Sequence, residues 1–187
     1  MDQYLDVKLR RNPEISTHYI LGAIYFRFHQ ALVAIGHGRI GVSFPDFQEK
    51  RRSLGQCLRL HGSSRDLDVL MANNWLVGMF DYVEVGPRLR VPEAVQYRTV
   101  RRVQTDSSPE RLRRRLIRRH QLDEMTALER IPDSVSSHLS MPWIEIYSNS
   151  TGQRFRMFID HGPLLGAATF GHFSSYGLSS TTTVPWF

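Results

Sequence analysis

Leu5, Val7 and Leu9 alternate with Asp6, Lys8 and Arg10, so the chain begins with a period of two, the mark of a half-buried strand. From Ile15 to Ala34 the period lengthens. Tyr19, Ile20, Ala23, Phe26, Ala31 and Leu32 recur at helical spacing, and Gly36 with Gly38 ends the run. Arg39 to Phe44 reads as a strand stopped by Pro45, and Leu54 to Leu60 as another with Leu58 and Leu60 on its buried face. A second helix follows, capped by Ser63 or Ser64 and striped by Leu67, Leu70, Met71 and Trp75, before Met79 to Val85 resumes a strand.

This alternation of periods confines residues 1–94 to the order βαββαβ. That is the split βαβ, ferredoxin-like arrangement, an α+β class that by itself establishes no function. Gly86-Pro87 and Val91-Pro92 punctuate its end, which places a domain boundary near residue 94. In residues 95–187 an extended segment, Val95 to Gln104, precedes Ser107-Ser108-Pro109-Glu110. Ser108 is a capping residue, Pro109 fits the first helical position, and Glu110 suits the positive pole of a helix expected over 109–120. A short helix over Asp123 to Arg130 and a further helical turn from Pro132-Asp133 are expected next. The remainder, from residue 143, reads as strands and loops.

The 109–120 helix carries arginines at 111, 113, 114, 115, 118 and 119, with Glu110 the one acid beside them. At about 100° per residue Arg111, Arg114, Arg115 and Arg118 share a face, and Leu112 and Leu116 lie on another. A charged helix that is merely solvated normally mixes signs to gain i, i+4 pairs. Unmixed positive charge instead asks for a polyanion, whose phosphates guanidinium forks bind bidentately. The formal net charge of +6 agrees. A membrane-surface helix would need larger apolar residues opposite the arginines. Arg101, Arg102 and Gln104, just upstream, are types that read base edges in a groove, or equally types that sit on a surface. With Cys57 the single cysteine, no intramolecular disulfide can form, and the chain shows no apolar stretch of signal-peptide or membrane-span length. A soluble, cytoplasmic protein is expected.

No paired cysteines, helical histidine pairs or carboxylate clusters have metal-site spacing, so neither metal nor cofactor is expected. RNA cleavage without a metal uses the 2′-hydroxyl as nucleophile and needs a base, an acid and donors for the developing charge. Histidine suits the proton transfer. Of eight histidines, His29 stands beside Phe28 and Gln30 on the first helix, where a structural histidine is the plain alternative. Ser148 to Gln153 is a cluster of small hydroxyl and amide groups, a turn or a phosphate and ribose cradle. Phe155 is a core residue or a base-stacking one.

Several words occur in register: Arg39-Ile-Gly-Val-Ser-Phe-Pro-Asp46, Ser108-Pro-Glu-Arg-Leu-Arg-Arg-Arg-Leu116, Arg118-Arg119-His120, Arg130-Ile-Pro-Asp133, Ser150-Thr-Gly-Gln153, Phe155-Arg156, His161-Gly-Pro-Leu164, Tyr176-Gly-Leu-Ser179 and Val184-Pro-Trp-Phe187. Together they resemble the CRISPR RNA-processing endoribonuclease of type I-F systems, over essentially the whole chain. The resemblance implies an arginine helix in the major groove of a repeat-derived RNA hairpin, cut at its base to leave a 2′,3′-cyclic phosphate and a 5′-hydroxyl. It implies that His29 deprotonates the 2′-hydroxyl, Ser148 holds that ribose and Tyr176 orients the site. Arg102 and Gln104 would read the lower base pairs, and Phe155 would stack on the terminal pair. Arg111, Arg114, Arg115, Arg118, Arg119 and His120 would bind backbone or groove, with Ser150 and Thr151 on the nucleotide flanking the cut. The implied partners are the repeat RNA and the other subunits of a type I-F RNA-guided surveillance complex, with a monomer when free. Where the family's C-terminal loop is often glycine-rich, this chain has Ser179-Ser-Thr-Thr-Thr183. A hairpin-holding chaperone that does not cut, and a DNA-binding helix, are the alternatives.

Overall fold

The computed structural model describes residues 1–103, 109–132, 141–147 and 152–187, with backbone alone for Glu110 and Arg111. Gln104, the Ser108 cap, the turn expected from Pro132-Asp133, Ser148, Ser150 and Thr151 therefore lie outside the described residues, as does the Arg111 side chain. Contacts divide the chain into one unit of residues 1–103 and 141–187 and a second of residues 104–140. This division falls elsewhere than the one read near residue 94, because residues on both sides of that point are buried in one hydrophobic core.

In the first unit, β1 (Gln3–Leu9), β2 (Gly41–Ser43), β3 (Cys57–Gly62) and β4 (Val83–Val85) form an antiparallel sheet in the order β2-β3-β1-β4, and β5 (Leu89–Arg90) also pairs with β1. With α1 (Thr17–Ile35) and α2 (Ser64–Ala72) interleaved, the expected βαββαβ order and α+β class hold. Leu5, Val7 and Leu9 are buried as the alternation required. Ser16 caps α1 by accepting from the Tyr19 amide, and Gly36 ends it in the left-handed conformation, φ 73°. Ser63, rather than Ser64, caps α2.

Two strands are shorter than their hydrophobic runs. Residues 54–56 are held as a loop, where Gly55 (φ +80°) presses on Asp46 and the Gln56 amide donates to its carboxylate. Residues 79–82 are consumed by turns, with amide bonds from Met79 to Leu76 and from Tyr82 to Met79. Trp75 lies beyond the end of α2, past left-handed Asn74, yet it is still buried and packs 5.7 Å from the Phe28 ring.

A second antiparallel sheet, order β7-β8-β6-β9, is built from β6 (Gln96–Val103), β7 (Trp143–Tyr147), β8 (Arg154–His161) and β9 (Thr183–Trp186). Pro185 is tolerated in β9 because that strand is the edge. Its buried Ile144, Ile146, Met157 and Ile159 join the core of Tyr25, Phe28 and Phe44. The backbones of α1 and β7 meet at Gly22, where a Cβ would stand 2.5 Å from the Glu145 carbonyl oxygen.

The second unit contains α3 (Pro109–His120) and α4 (Glu124–Arg130), capped by Asp123. Arg113 donates to the carbonyl of Ile131 at 3.0 Å, tying α3 to the end of α4. Among the described residues no helix is long and apolar enough to cross a membrane.

Candidate active site and nucleic-acid interface

Helical spacing sets α1 up for two tasks at once. Tyr25 and Phe28 are fully buried, while His29, one residue on, reaches the rim at partial exposure. There its ring lies flat against that of Tyr176, with centroids 3.9 Å apart and planes 2° from parallel. His29 Nδ1 is 2.8 Å from the Ser175 carbonyl oxygen. A carbonyl only accepts, so Nδ1 carries the proton, and in the neutral ring Nε2 is the nitrogen with the free lone pair. The imidazole is thus oriented and given a tautomer by the backbone of the segment that it stacks upon.

That segment is itself pinned. The Tyr25 hydroxyl donates to the Tyr176 carbonyl at 2.7 Å, and burial pushes its phenol well above the ordinary range, so it stays a donor. Gly177, at φ +69°, leads the chain past the Phe28 ring, which a Cβ would approach to 3.0 Å, and its carbonyl accepts from the Val42 amide at 3.0 Å. Arg102, exposed on β6, holds its guanidinium carbon 5.4 Å from the Phe155 ring centroid and 5.8 Å from that of Tyr176. His29, Tyr176, Arg102 and Phe155 therefore converge. Arg101, on the other face of β6, is engaged with Asp160 at 2.7 Å.

Four other described histidines have other company. His61 is fully buried with Nε2 2.8 Å from the Ser43 hydroxyl, and burial lowers its pKa to about 3. His161 stacks on Phe47 at 4.0 Å, and burial likewise lowers its pKa to about 3. His18 packs edge-on to Trp143, and His37 faces Asp66 at 3.6 Å. Among the described residues no three His, Cys, Asp or Glu side chains gather as a metal-binding group.

In the second unit, Arg114, Arg115, Arg118, Arg119 and His120 are exposed, whereas Leu112, Arg113, Leu116 and Ile117 are partly buried. The two-faced helix expected from the sequence is thus present.

A family model described as a CRISPR-associated protein (Cas_Csy4) matches residues 4–187. The chain belongs to the Cas_Csy4 family. Two relatives named CRISPR-associated endonuclease Cas6/Csy4 align over the full length of both chains: one from Pseudomonas aeruginosa (strain UCBPP-PA14) at 51% identity, and one from Escherichia coli (strain UTI89 / UPEC) at 42%. In this Cas_Csy4 member the sequence reading missed Tyr25 and the Ser175 carbonyl. The signal for Tyr25 was its spacing, one helical turn before His29 on the same face; a backbone carbonyl has no sequence signal at all.

Proposed function

We propose that the chain is a hairpin-specific endoribonuclease that cuts CRISPR precursor RNA within its repeats without a metal. The observation that carries this reading is His29, with Nδ1–H committed to the Ser175 carbonyl and Nε2 left to take a proton. Nε2 accepts the proton of the 2′-hydroxyl at the base of the hairpin; the 2′-oxygen attacks phosphorus and the bond to the 5′-oxygen breaks. The products are a 2′,3′-cyclic phosphate and, once the departing oxygen is protonated, a 5′-hydroxyl. Tyr176 keeps the imidazole in plane, and Ser148 holds the ribose.

Arg102 and Gln104 read the lower base pairs while Phe155 stacks on the terminal pair. The arginines 111, 114, 115, 118 and 119 with His120 grip the stem, and Ser150 and Thr151 meet the flanking nucleotide. The protein is a monomer when free, keeps its product and carries it into an RNA-guided surveillance complex. The names of both relatives, CRISPR-associated endonuclease, support the nuclease reading.

Incubation with repeat RNA in the presence of a chelator, with the ends of the products analysed, tests it. The native protein is expected to cut, and His29→Ala to bind the hairpin yet lose about 10² to 10⁴ in rate. Unchanged cutting by His29→Ala removes His29 from the mechanism. A requirement for added magnesium, or cleavage of RNA lacking the 2′-hydroxyl at the cut, overturns the chemistry. A native protein that binds and never cuts leaves the hairpin-holding alternative.

A further inference from the structure

The turn that His29 leans on runs from Ser174 to Gly177, and Ser174 holds it with its backbone and its side chain. The Gly177 amide donates to the Ser174 carbonyl at 2.9 Å, and the Ser174 amide donates to the Leu178 carbonyl at 2.9 Å. These two bonds close the turn. The Ser174 hydroxyl accepts from the Tyr176 amide at 3.3 Å, and that bond falls on the peptide between Ser175 and Tyr176.

The carbonyl of the same peptide accepts from His29 Nδ1 at 2.8 Å. The peptide is therefore held at both ends, its N–H by the Ser174 hydroxyl and its C=O by the imidazole. It is also the central peptide of the turn, the unit whose reversal separates a type I from a type II turn. A type II turn needs a positive φ at its third residue, here Tyr176. Among the described non-glycine residues only Arg52, Asn74 and Gln121 have one, so the type II orientation is not the one adopted.

The orientation of this peptide decides the chemistry of the ring that it faces. With the carbonyl toward His29, Nδ1 is the donor and Nε2 keeps its lone pair. Reversed, the peptide would offer an N–H to Nδ1 in place of the carbonyl. Nδ1 would then accept, the proton would move to Nε2, and the lone pair that takes the 2′-hydroxyl proton would be lost. A serine that opens a turn opposes this reversal, because its hydroxyl accepts only while the amide two residues on points back at it. An amide that donates through N–H is also a stronger acceptor at its C=O, since linked hydrogen bonds polarise one another. Tyr25 does not supply this control, because its hydroxyl bonds the following carbonyl, that of Tyr176.

We infer that Ser174 is a positioning residue for RNA cleavage, its hydroxyl holding the Ser175–Tyr176 peptide in the orientation that keeps the His29 proton on Nδ1. The inference rests on the endoribonuclease reading.

Ser174 is exposed, and Ser174→Ala keeps both backbone bonds, so the variant folds. Heteronuclear NMR of the ring nitrogens in the free protein, at about pH 9 where histidine is neutral, reads the His29 tautomer. Single-turnover cutting of the repeat hairpin, with protein in saturating excess, reads the rate apart from affinity. The native protein is expected to carry the His29 proton on Nδ1. Ser174→Ala is expected to shift most of the rings to the Nε2–H form and to slow cutting by at least about fivefold, equivalent to about 1 kcal/mol. Ser174→Asn, whose side-chain carbonyl accepts from the same amide, is expected to restore the tautomer and bring the rate within about twofold of native.

A tautomer unmoved by Ser174→Ala, or a native cutting rate in that variant, overturns the role of Ser174 alone. So does a loss that Ser174→Asn leaves uncorrected. A native ring protonated on Nε2, or unchanged cutting by His29→Ala, removes His29 as the base, and a native protein that never cuts removes the endoribonuclease reading; the role of Ser174 falls with either.

Discussion

At the scale of single residues, the candidate site depends on one imidazole whose orientation is supplied by the backbone rather than by an acidic side chain. Ser175 provides the acceptor and Tyr176 the stacking surface, and Tyr25 holds both through its bond to the Tyr176 carbonyl. Tyr25→Phe keeps the buried ring and removes that donor. We expect it to cost about 1 kcal/mol of stability in chemical denaturation, the usual worth of one such bond. Cutting should slow by more than hairpin affinity falls, because Tyr25 acts on the imidazole through the turn. Equal losses in affinity and rate would show that the turn supports RNA binding instead. His29 was legible as a candidate because histidine has the right chemistry. Its distinction from His61 and His161 was not, since burial that removes a proton-accepting role is a property of the packed core.

At the scale of elements, α3 and α1 carry different kinds of information. The α3 pattern of arginines, with Leu112 and Leu116 on the other face, is local, and the helix forms with Arg114, Arg115, Arg118 and Arg119 exposed as the pattern requires. Arg115→Ala and Arg118→Ala are expected to weaken hairpin binding and reduce the salt slope by roughly 0.7 to 0.9 for each lost phosphate contact. An unchanged slope would place those arginines away from phosphate. In α1 the end at Gly36 was readable, but the Ser16 cap was not singled out and the meaning of Gly22 was not legible. It permits a close approach of β7 that only the fold creates. Gly22→Ala would collide with the Glu145 carbonyl, and an overpacking cost of about 1–3 kcal/mol is expected in thermal melts, despite alanine's better helix propensity. A more stable Gly22→Ala protein would contradict the contact.

At the scale of the whole molecule, His61 and His161, whose ring nitrogens are buried, make stability depend on pH. Both are neutral in the fold, with pKa lowered to about 3, whereas an unfolded histidine titrates near 6.5. Below about pH 6.5 the unfolded chain gains protons that the fold refuses. Stability is therefore full above that pH and falls by up to about 1.4 kcal/mol per unit for each histidine as pH drops toward 3. Urea titrations at pH 7.5 and 5.0 should show this fall. His161→Phe, which keeps a ring against Phe47 and removes two buried nitrogens without partners, should lessen it. A pH-independent midpoint would mean that these rings are solvated.

The sequence by itself determined what is local: the βαββαβ order, the glycine end of the first helix and the serine cap of the second, the two-faced arginine helix and the polyanion it asks for. Periodicity and capping depend on residues a few positions apart, so they survive without knowledge of the fold. The tertiary structure decided what depends on distant pairings: that β6 closes a sheet with β8 and β9, and that Trp75 is core although its helix ends before it. It also decided that the Tyr176 ring lies on that of His29. The resemblance had named those two residues together, but their contact spans most of the chain, and no local pattern encodes the turn, the buried phenol and the glycine that hold them there.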